Sequence, residues 1–134
     1  ADGFFRHCFS TAQVAVELAR RHRQDSDIIF LAGLMHDVGM LVDNEKFDHA
    51  LIGGVVARHW KLPSEVCSII AAHGEPSDDL STLIVHFANR ACDASGVGLS
   101  EPIEDSSEHP LFEEAMELVP EAAQRAEDAY RALQ

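Results

Sequence analysis

Apolar residues recur at helical spacing along most of this chain, and Gly or Pro interrupts the pattern between one segment and the next. Residues 3–22 show this clearly. At about 100° per residue their apolar side chains fall on one broad face, and Arg6, Glu17 and Arg21 fall opposite. No segment alternates apolar and polar residues in a way that predicts a strand. The sequence therefore predicts an all-α fold, a compact bundle of about seven helices.

The interruptions also predict where each helix begins and ends. The predicted helices cover residues 3–22, 26–37, 48–60, 63–73, 79–94, 110–119 and 120–133, with loops at 42–47 and 95–109. We expect Ser26 to cap the second helix and Gly39 to stop it. Pro63, Pro110 and Pro120 are each expected to open a helix, because Pro is favoured at the first helical position. The second helix is apolar on nearly all sides, which predicts the central buried helix.

Length and charge limit the kind of domain. A chain of 134 residues, 46% of them hydrophobic, suits one compact domain with a sizeable core. We divide it into a helical core at residues 1–96 and an acidic loop with C-terminal helices at residues 97–134, packing on or beside that core. The formal net charge is −13, whereas a nucleic-acid-binding surface needs clustered Lys and Arg. We therefore expect no nucleic-acid partner.

Three cysteines, Cys8, Cys67 and Cys92, fall on apolar helical faces and form no CxxC pair. This pattern indicates buried free thiols of a reducing compartment, so we expect a cytoplasmic protein. The longest apolar run, residues 28–35, is too short to cross a bilayer, and we expect no membrane partner. Because the sequence begins at Ala1 without Met, we also expect it to be part of a longer protein.

The histidines on apolar faces form a set. His7, His49 and His73 lie on the apolar sides of their predicted helices, and His36 with Asp37 ends the most apolar helix. Four histidines and one aspartate are therefore directed inward from four different helices.

This set predicts a metal site. A single inward histidine is more often a core residue hydrogen-bonded to a neighbour, but four of them would each need a partner. One shared metal site satisfies them together, and imidazole with carboxylate suits Fe, Zn, Mn, Ni or Co. We predict one or two divalent ions, with Asp37 able to bridge two of them. The predicted ligands are His7, His36, Asp37, His49 and His73.

The order of these residues resembles the pattern of the HD superfamily, in which one helix carries a His, the next a His-Asp pair and a later helix an Asp. His7, His36 and Asp37 match the first three positions, and residues 31–39 are similar to the family's LAGLLHDIG segment. The resemblance covers about residues 4–94. It implies an HD-type helical bundle with a divalent metal site.

Two further segments are similar to the HDOD branch of this superfamily, a group used mainly in bacterial signalling. Residues 49–53 resemble its HAELG segment, and residues 60–73 resemble its tryptophan-containing turn and the following histidine-rich helix end. HDOD proteins normally carry another helical half ahead of this region. The resemblance therefore implies a signalling domain that works with a protein partner or with an additional domain of the same chain.

Three positions depart from the family pattern. Asn89 stands where the family has its last Asp, and a neutral amide is a poorer metal ligand than a carboxylate. Asp93, one turn later, is an alternative ligand that we favour less. Met40 replaces the Lys that often follows the His-Asp pair of active phosphohydrolases, and Gly74 replaces a second His.

Two functions remain open on these grounds. The damaged ligand set favours a regulatory domain that keeps a metal site but has little or no catalysis. The alternative is a metal-dependent phosphohydrolase acting on a nucleotide or other phosphate ester, with Asp37 as the bridging carboxylate. Arg6, Lys46 or Arg90 could then hold the phosphate. A di-iron oxygenase and a metal-free helical core are more remote alternatives.

Overall fold

The computed structural model describes residues 2–41 and 49–134 of the chain. This part contains six α-helices and one short 3-10 helix. The α-helices are α1 (Asp2–Arg21), α2 (Ser26–Met35), α3 (His49–His59), α4 (Ser64–Ala72), α5 (Leu80–Ala94) and α6 (Pro110–Ala132). The 3-10 helix, Val38–Leu41, follows α2. No strand occurs in these two stretches, so the all-α prediction is confirmed. The predicted loop at 42–47 lies outside the described residues.

The core forms around α1, which packs against α2, α5 and α6. Leu18 of α1, Ile70 of α4 and Ile84 of α5 are fully buried in one apolar cluster, and α6 adds Phe112 to it. The prediction that the second helix is the central one is wrong. Among its ten residues α2 fully buries only three, Ile29, Ala32 and Gly33, because its other apolar side chains are only partly covered by α1, α4 and α5.

The residues expected to cap or open α2 and α4 are each off by one. Asp25, not Ser26, caps α2, because Oδ1 of Asp25 accepts hydrogen bonds from the backbone N–H groups of Asp27 and Ile28, each at 3.1 Å. Pro63 is the residue before α4 rather than its first residue, with an extended ψ of 141°. Both differences lie within the usual uncertainty of a helix end.

Gly39 does not stop α2. That helix ends at Met35, with His36 as its C-cap, and Gly39 lies inside the 3-10 helix. A Cβ at position 39 would collide with the backbone carbonyl of His49 and lie 2.7 Å from the backbone nitrogen of Gly53. The glycine is therefore needed for close packing of the 3-10 helix against α3, which places Asp37, just before the 3-10 helix, near His49 of α3.

The C-terminal region is one helix rather than two. We predicted a break at Pro120, but α6 runs through it without interruption. Pro120 is exposed, whereas Val119, Ala122 and Ala126 are buried. Packing of this stripe against the core outweighs the backbone hydrogen bond that the proline removes. The described part of the chain therefore has six α-helices where about seven were predicted.

Two further expectations concern the cysteines and membranes. Cys8, Cys67 and Cys92 are free and buried, which confirms that prediction. Every helix in the described stretches is too short or too polar to span a membrane.

Candidate metal centre

Asp37 lies at the centre of the predicted ligand set, with two imidazoles against each of its carboxylate oxygens. Oδ2 is 3.1 Å from Nε2 of His36 and 3.4 Å from Nε2 of His7. Oδ1 is 3.4 Å from Nε2 of His49 and 3.7 Å from Nε2 of His73. The structure thus brings together all five residues that the sequence singled out, from α1, the end of α2, the start of α3 and the end of α4.

Helix ends orient two of these imidazoles. His36 and His73 are the C-caps of α2 and α4, where backbone carbonyls have no helical partner. Nδ1 of His36 donates to the carbonyl of Gly33 at 2.6 Å, and Nδ1 of His73 donates to that of Ile70 at 2.7 Å. Because Nδ1 carries the proton in each ring, the lone pair of Nε2 faces Asp37. Such an outer hydrogen bond is typical of metal-ligating histidines.

The electrostatics of the cluster favour an ionised carboxylate. Burial alone would raise the pKa of Asp37, but the imidazoles of His36 and His7 outweigh it and hold that pKa well below its usual range. Burial would lower the pKa of His7, but Asp37 outweighs it in turn, and this pKa lies above its ordinary value. Without a cation, the buried carboxylate therefore favours the protonated form of His7.

The residues fit a divalent metal. Two groups of ligand atoms, one from His7, His36 and Asp37 and one from Asp37, His49 and His73, each lie within 4.8 Å of one another. Nε2 of His73 is buried and has no hydrogen-bond partner among the described residues. An unpaired lone pair in such a place is unfavourable unless a hydrogen-bond donor or a cation lies near it. The donor set of imidazoles and one carboxylate is that of Zn, Fe, Mn, Ni or Co sites.

Asn89, not Asp93, lies on the ligand side of the cluster. Oδ1 of Asn89 is 2.9 Å from Nε2 of His7 and 3.2 Å from Nε2 of His36. Oδ1 of Asp93 is instead 3.5 Å from Nδ1 of His7, on the opposite edge of that ring. Asp93 therefore contacts the outer edge of the His7 ring and does not take the place of Asn89 beside Asp37.

His86 supports the site from behind the predicted ligand His73. It is buried in α5, and its Nδ1 donates to the backbone carbonyl of His73 at 2.8 Å. Its signal in the sequence was the stripe of α5 that it shares with Asn89. His22 lies away from the cluster and contacts Glu114 of α6 at 3.0 Å.

The cationic side chains considered for phosphate binding have other partners. Arg6 pairs with Glu127 at 2.7 Å, with its guanidinium 4.6 Å from the ring centroid of Tyr130, and so joins α1 to α6. Arg90 pairs with Asp105 of the loop before α6 at 2.7 Å. Lys46 lies outside the described residues.

A cavity of about 400 Å³ opens beside the cluster. Its polar wall includes His7, Asp37 and His49, and His49 is the most exposed of the ligands, with 42% of its side chain accessible. The apolar wall was missed by sequence reasoning. It consists of Phe4, Met40, Leu99 and Ile103. Isolated apolar residues in the acidic loop were the one available signal.

Comparison with known proteins places this centre in a family. The model of the HD domain matches residues 4–124. Ribonuclease Y of Cutibacterium acnes is 34% identical over 90 residues, which cover 66% of this chain and 16% of that protein. Ribonuclease Y of Thermus thermophilus is 37% identical over 79 residues, covering 58% of this chain and 14% of that protein.

The chain thus spans about one sixth of the length of these curated relatives. No solved structure is significantly similar. The match confirms the resemblance to the HD superfamily, whereas the HDOD branch stays a prediction. Since the family model covers nearly all of the sequence, including every residue of the cluster, this chain belongs to the HD domain family.

Proposed function

We propose that this domain is a metal-dependent phosphohydrolase acting on a small phosphate ester. One observation carries the proposal: a buried, ionised Asp37 has two imidazole nitrogens against each oxygen, directly beside a cavity large enough for a small molecule. A purely structural cluster would not need an open cavity. A cavity without the cluster would have no means of activating water.

The division of the ligands supports two metal positions. His7 and His36 would hold one ion with Oδ2 of Asp37, and His49 and His73 would hold a second with Oδ1. Divalent ions bound there would lower the pKa of water and offset charge on the phosphoryl oxygens. The protein itself keeps the Nε2 lone pairs directed at one place. The backbone carbonyls at the ends of α2 and α4 do this by accepting hydrogen bonds from Nδ1 of His36 and of His73.

Asp93 is the side chain placed to handle a proton. It lines the cavity, and burial raises its pKa above the ordinary value for an aspartate. A carboxyl group that lines the cavity is placed to give a proton to a bound ester. We assign to Asp93 the protonation of the leaving alcohol. Asp93→Asn should then lower turnover while metal content stays the same.

The charge of the chain and of the cavity favours a small substrate. The relatives are named as ribonucleases, so an RNA phosphodiester is a necessary test substrate. The net charge of −13 opposes binding of a long polyanion. In the described stretches no Lys or Arg lines the cavity, whereas Asp37 and Asp93 do. These features support a small ester over a polynucleotide, in keeping with our expectation of no nucleic-acid partner.

A regulatory domain that binds metal without turnover is the second candidate. The observation in its favour is Asn89, a neutral amide between His7 and His36 where the family pattern has a carboxylate. An HDOD-like signalling role and a protein partner belong to this candidate. Asn89→Asp distinguishes the two. In the regulatory case it should create turnover where there was none and raise metal affinity roughly tenfold.

Metal content and turnover test the proposal together. Elemental analysis of the purified protein should find one or two equivalents of a divalent transition metal, reduced in His36→Ala and retained in the control His59→Ala. The metal-loaded protein should then hydrolyse p-nitrophenyl phosphate faster than a short RNA. Absence of metal after reconstitution would refute the site. Metal without turnover on any phosphate ester would refute the enzyme and favour the regulatory domain.

A further inference from the structure

Exposed apolar side chains converge on the cavity beside the cluster. Nine large apolar residues of the described stretches are more than a third exposed. Four of them line this cavity, namely Phe4 at 36%, Met40 at 38%, Leu99 at 39% and Ile103 at 53%. They come from α1, the 3-10 helix and the loop before α6. Solitary exposed apolar residues are common, but several around one cavity mark a binding site.

The loop that supplies two of these residues is held in place. Gly98 has a φ of 75°, and a Cβ there would collide with the backbone carbonyl of Gly3, so the loop packs closely on the start of α1. The backbone N–H of Ile103 donates to the carbonyl of Asp93 at 2.9 Å. Asp105, two residues later, pairs with Arg90. Leu99 and Ile103 are therefore positioned by three separate contacts rather than left in a free loop.

The cavity has two chemically different walls. His7, Asp37, His49 and Asn89 form the polar side, and each of them lies in or against the cluster. The side away from the cluster presents the four apolar residues, with Asp93 and two glycines as the remaining lining. A ligand whose reacting group lies at the cluster must then place its other end against apolar side chains.

We propose that this cavity binds the apolar organic group of the ester, an aromatic ring or an aliphatic chain, and selects substrates by it. The inference rests on the proposed function for the phosphate, but not for the apolar group. At about 400 Å³ the cavity falls within the range of small-molecule sites, which bury most of a ligand against apolar side chains. Burial of that group adds affinity in proportion to the apolar area removed from water.

Binding of matched ligands tests this selection. The metal-loaded protein should bind 1-naphthylphosphonate, whose P–C bond it cannot hydrolyse, at least about tenfold more tightly than inorganic phosphate, measured by calorimetry. Ile103→Ser and Met40→Ser should each reduce the affinity for 1-naphthylphosphonate several-fold and leave that for phosphate unchanged. Val55→Ser is the control, since Val55 is also an exposed apolar residue but lies on α3, outside the cavity lining. Equal affinity for the two ligands would overturn the proposal.

A second measurement separates this inference from the proposed function. In metal-free protein, 1-naphthol should still shift the methyl resonances of Leu99 and Ile103, and Ile103→Ser should weaken its binding. If 1-naphthol binds there but no metal or turnover is found, the apolar site stands and the phosphohydrolase proposal fails. If 1-naphthol leaves these resonances unchanged, the apolar site is refuted whether or not the protein hydrolyses phosphate esters.

Discussion

Nε2 of His73 lies 3.7 Å from Oδ1 of Asp37 and has no hydrogen-bond partner among the described residues, although both side chains are at most 10% exposed. A buried polar atom left unpaired costs about 1–3 kcal/mol. Its other ring nitrogen is already used by the carbonyl of Ile70, so the ring cannot turn without losing that bond. The lone pair is therefore available to a cation beside Asp37.

Metal should stabilise the fold through this atom. A divalent ion at a hundred times its Kd adds about 2.7 kcal/mol of stability, which raises the Tm of a domain of this size by roughly 10 °C. His73→Ala should remove most of this rise, and His59→Ala, an exposed histidine at the end of α3, should keep it. Calorimetric melting with and without chelator measures the effect. An equal rise in both variants would place the ion elsewhere.

Gly98→Ala should destabilise the protein, and Gly74→Ala should not. The positive φ of Gly98 costs a non-glycine residue about 1–2 kcal/mol, and the added Cβ would also collide with Gly3. A Cβ at Gly74 meets only the Cβ of Ala50 at 3.8 Å, an ordinary contact, so its effect should stay within about 0.5 kcal/mol. Urea unfolding of the two variants gives the comparison. Equal losses of stability would mean that the loop is not held as described.

The contact between Asp105 and Arg90 should weaken at acidic pH. Burial alone would raise the pKa of Asp105, but hydrogen bonds from Arg90 and Ser107 outweigh it and lower this pKa from 3.8 to about 2. A carboxyl group whose pKa is lower in the folded than in the unfolded protein stabilises the folded state at pH values above its unfolded-state pKa. This stability is lost as the pH falls towards its folded-state pKa. The relevant window therefore runs from about pH 4 down to about pH 2.

Asp105→Asn should accordingly lower the Tm near neutral pH, and the difference from the natural protein should narrow as the pH falls below about 4. Asp78→Asn, at an exposed position outside the loop, serves as the control. A difference that stayed constant down to the acid limit would show that the charge of Asp105 does not act through this contact.

The cysteines should resist alkylation in the folded protein. Burial raises the pKa of Cys8 to about 12 and that of Cys92 to about 12, so neither supplies thiolate near neutral pH. Cys67 is also buried, with 1% of its surface exposed. Mass spectrometry after iodoacetamide treatment should find the native chain unmodified and the guanidinium-unfolded chain modified three times. Rapid labelling of the native chain would show that the core opens around α1, α4 or α5, according to the cysteine that is modified.

Much of the ligand set was visible in the sequence because helical periodicity is local information. The spacing of apolar neighbours assigns His7, His49 and His73 to inward faces, and the end of an apolar helix does the same for His36 and Asp37. Helices that pack on one core must bring such residues towards each other. The resemblance to the HD pattern added Asn89 at the position where the structure places it beside His7 and His36.

Helix ends were harder to predict from the sequence, and one helix was wrongly predicted as two. Pro120 has a strong local preference to begin a helix, but burial of Val119 and Ala122 on either side holds α6 continuous. Tertiary packing outweighs local helix propensity at this position, and no single segment of the sequence reveals that packing. The apparent importance of α2 was overestimated for a related reason, since an apolar helix is fully buried only if neighbours cover all its sides.

The sequence by itself thus determined the all-α class, the inward histidines and the resemblance to the HD pattern, because helical spacing and short motifs are local information. Only the tertiary structure decided how these parts are used. It pairs two imidazoles with each oxygen of Asp37, commits Arg90 to Asp105, and holds Leu99 and Ile103 beside the cluster. The physical reason is that nearly all of these contacts join groups far apart in the chain, so the partner of a side chain depends on how the helices pack.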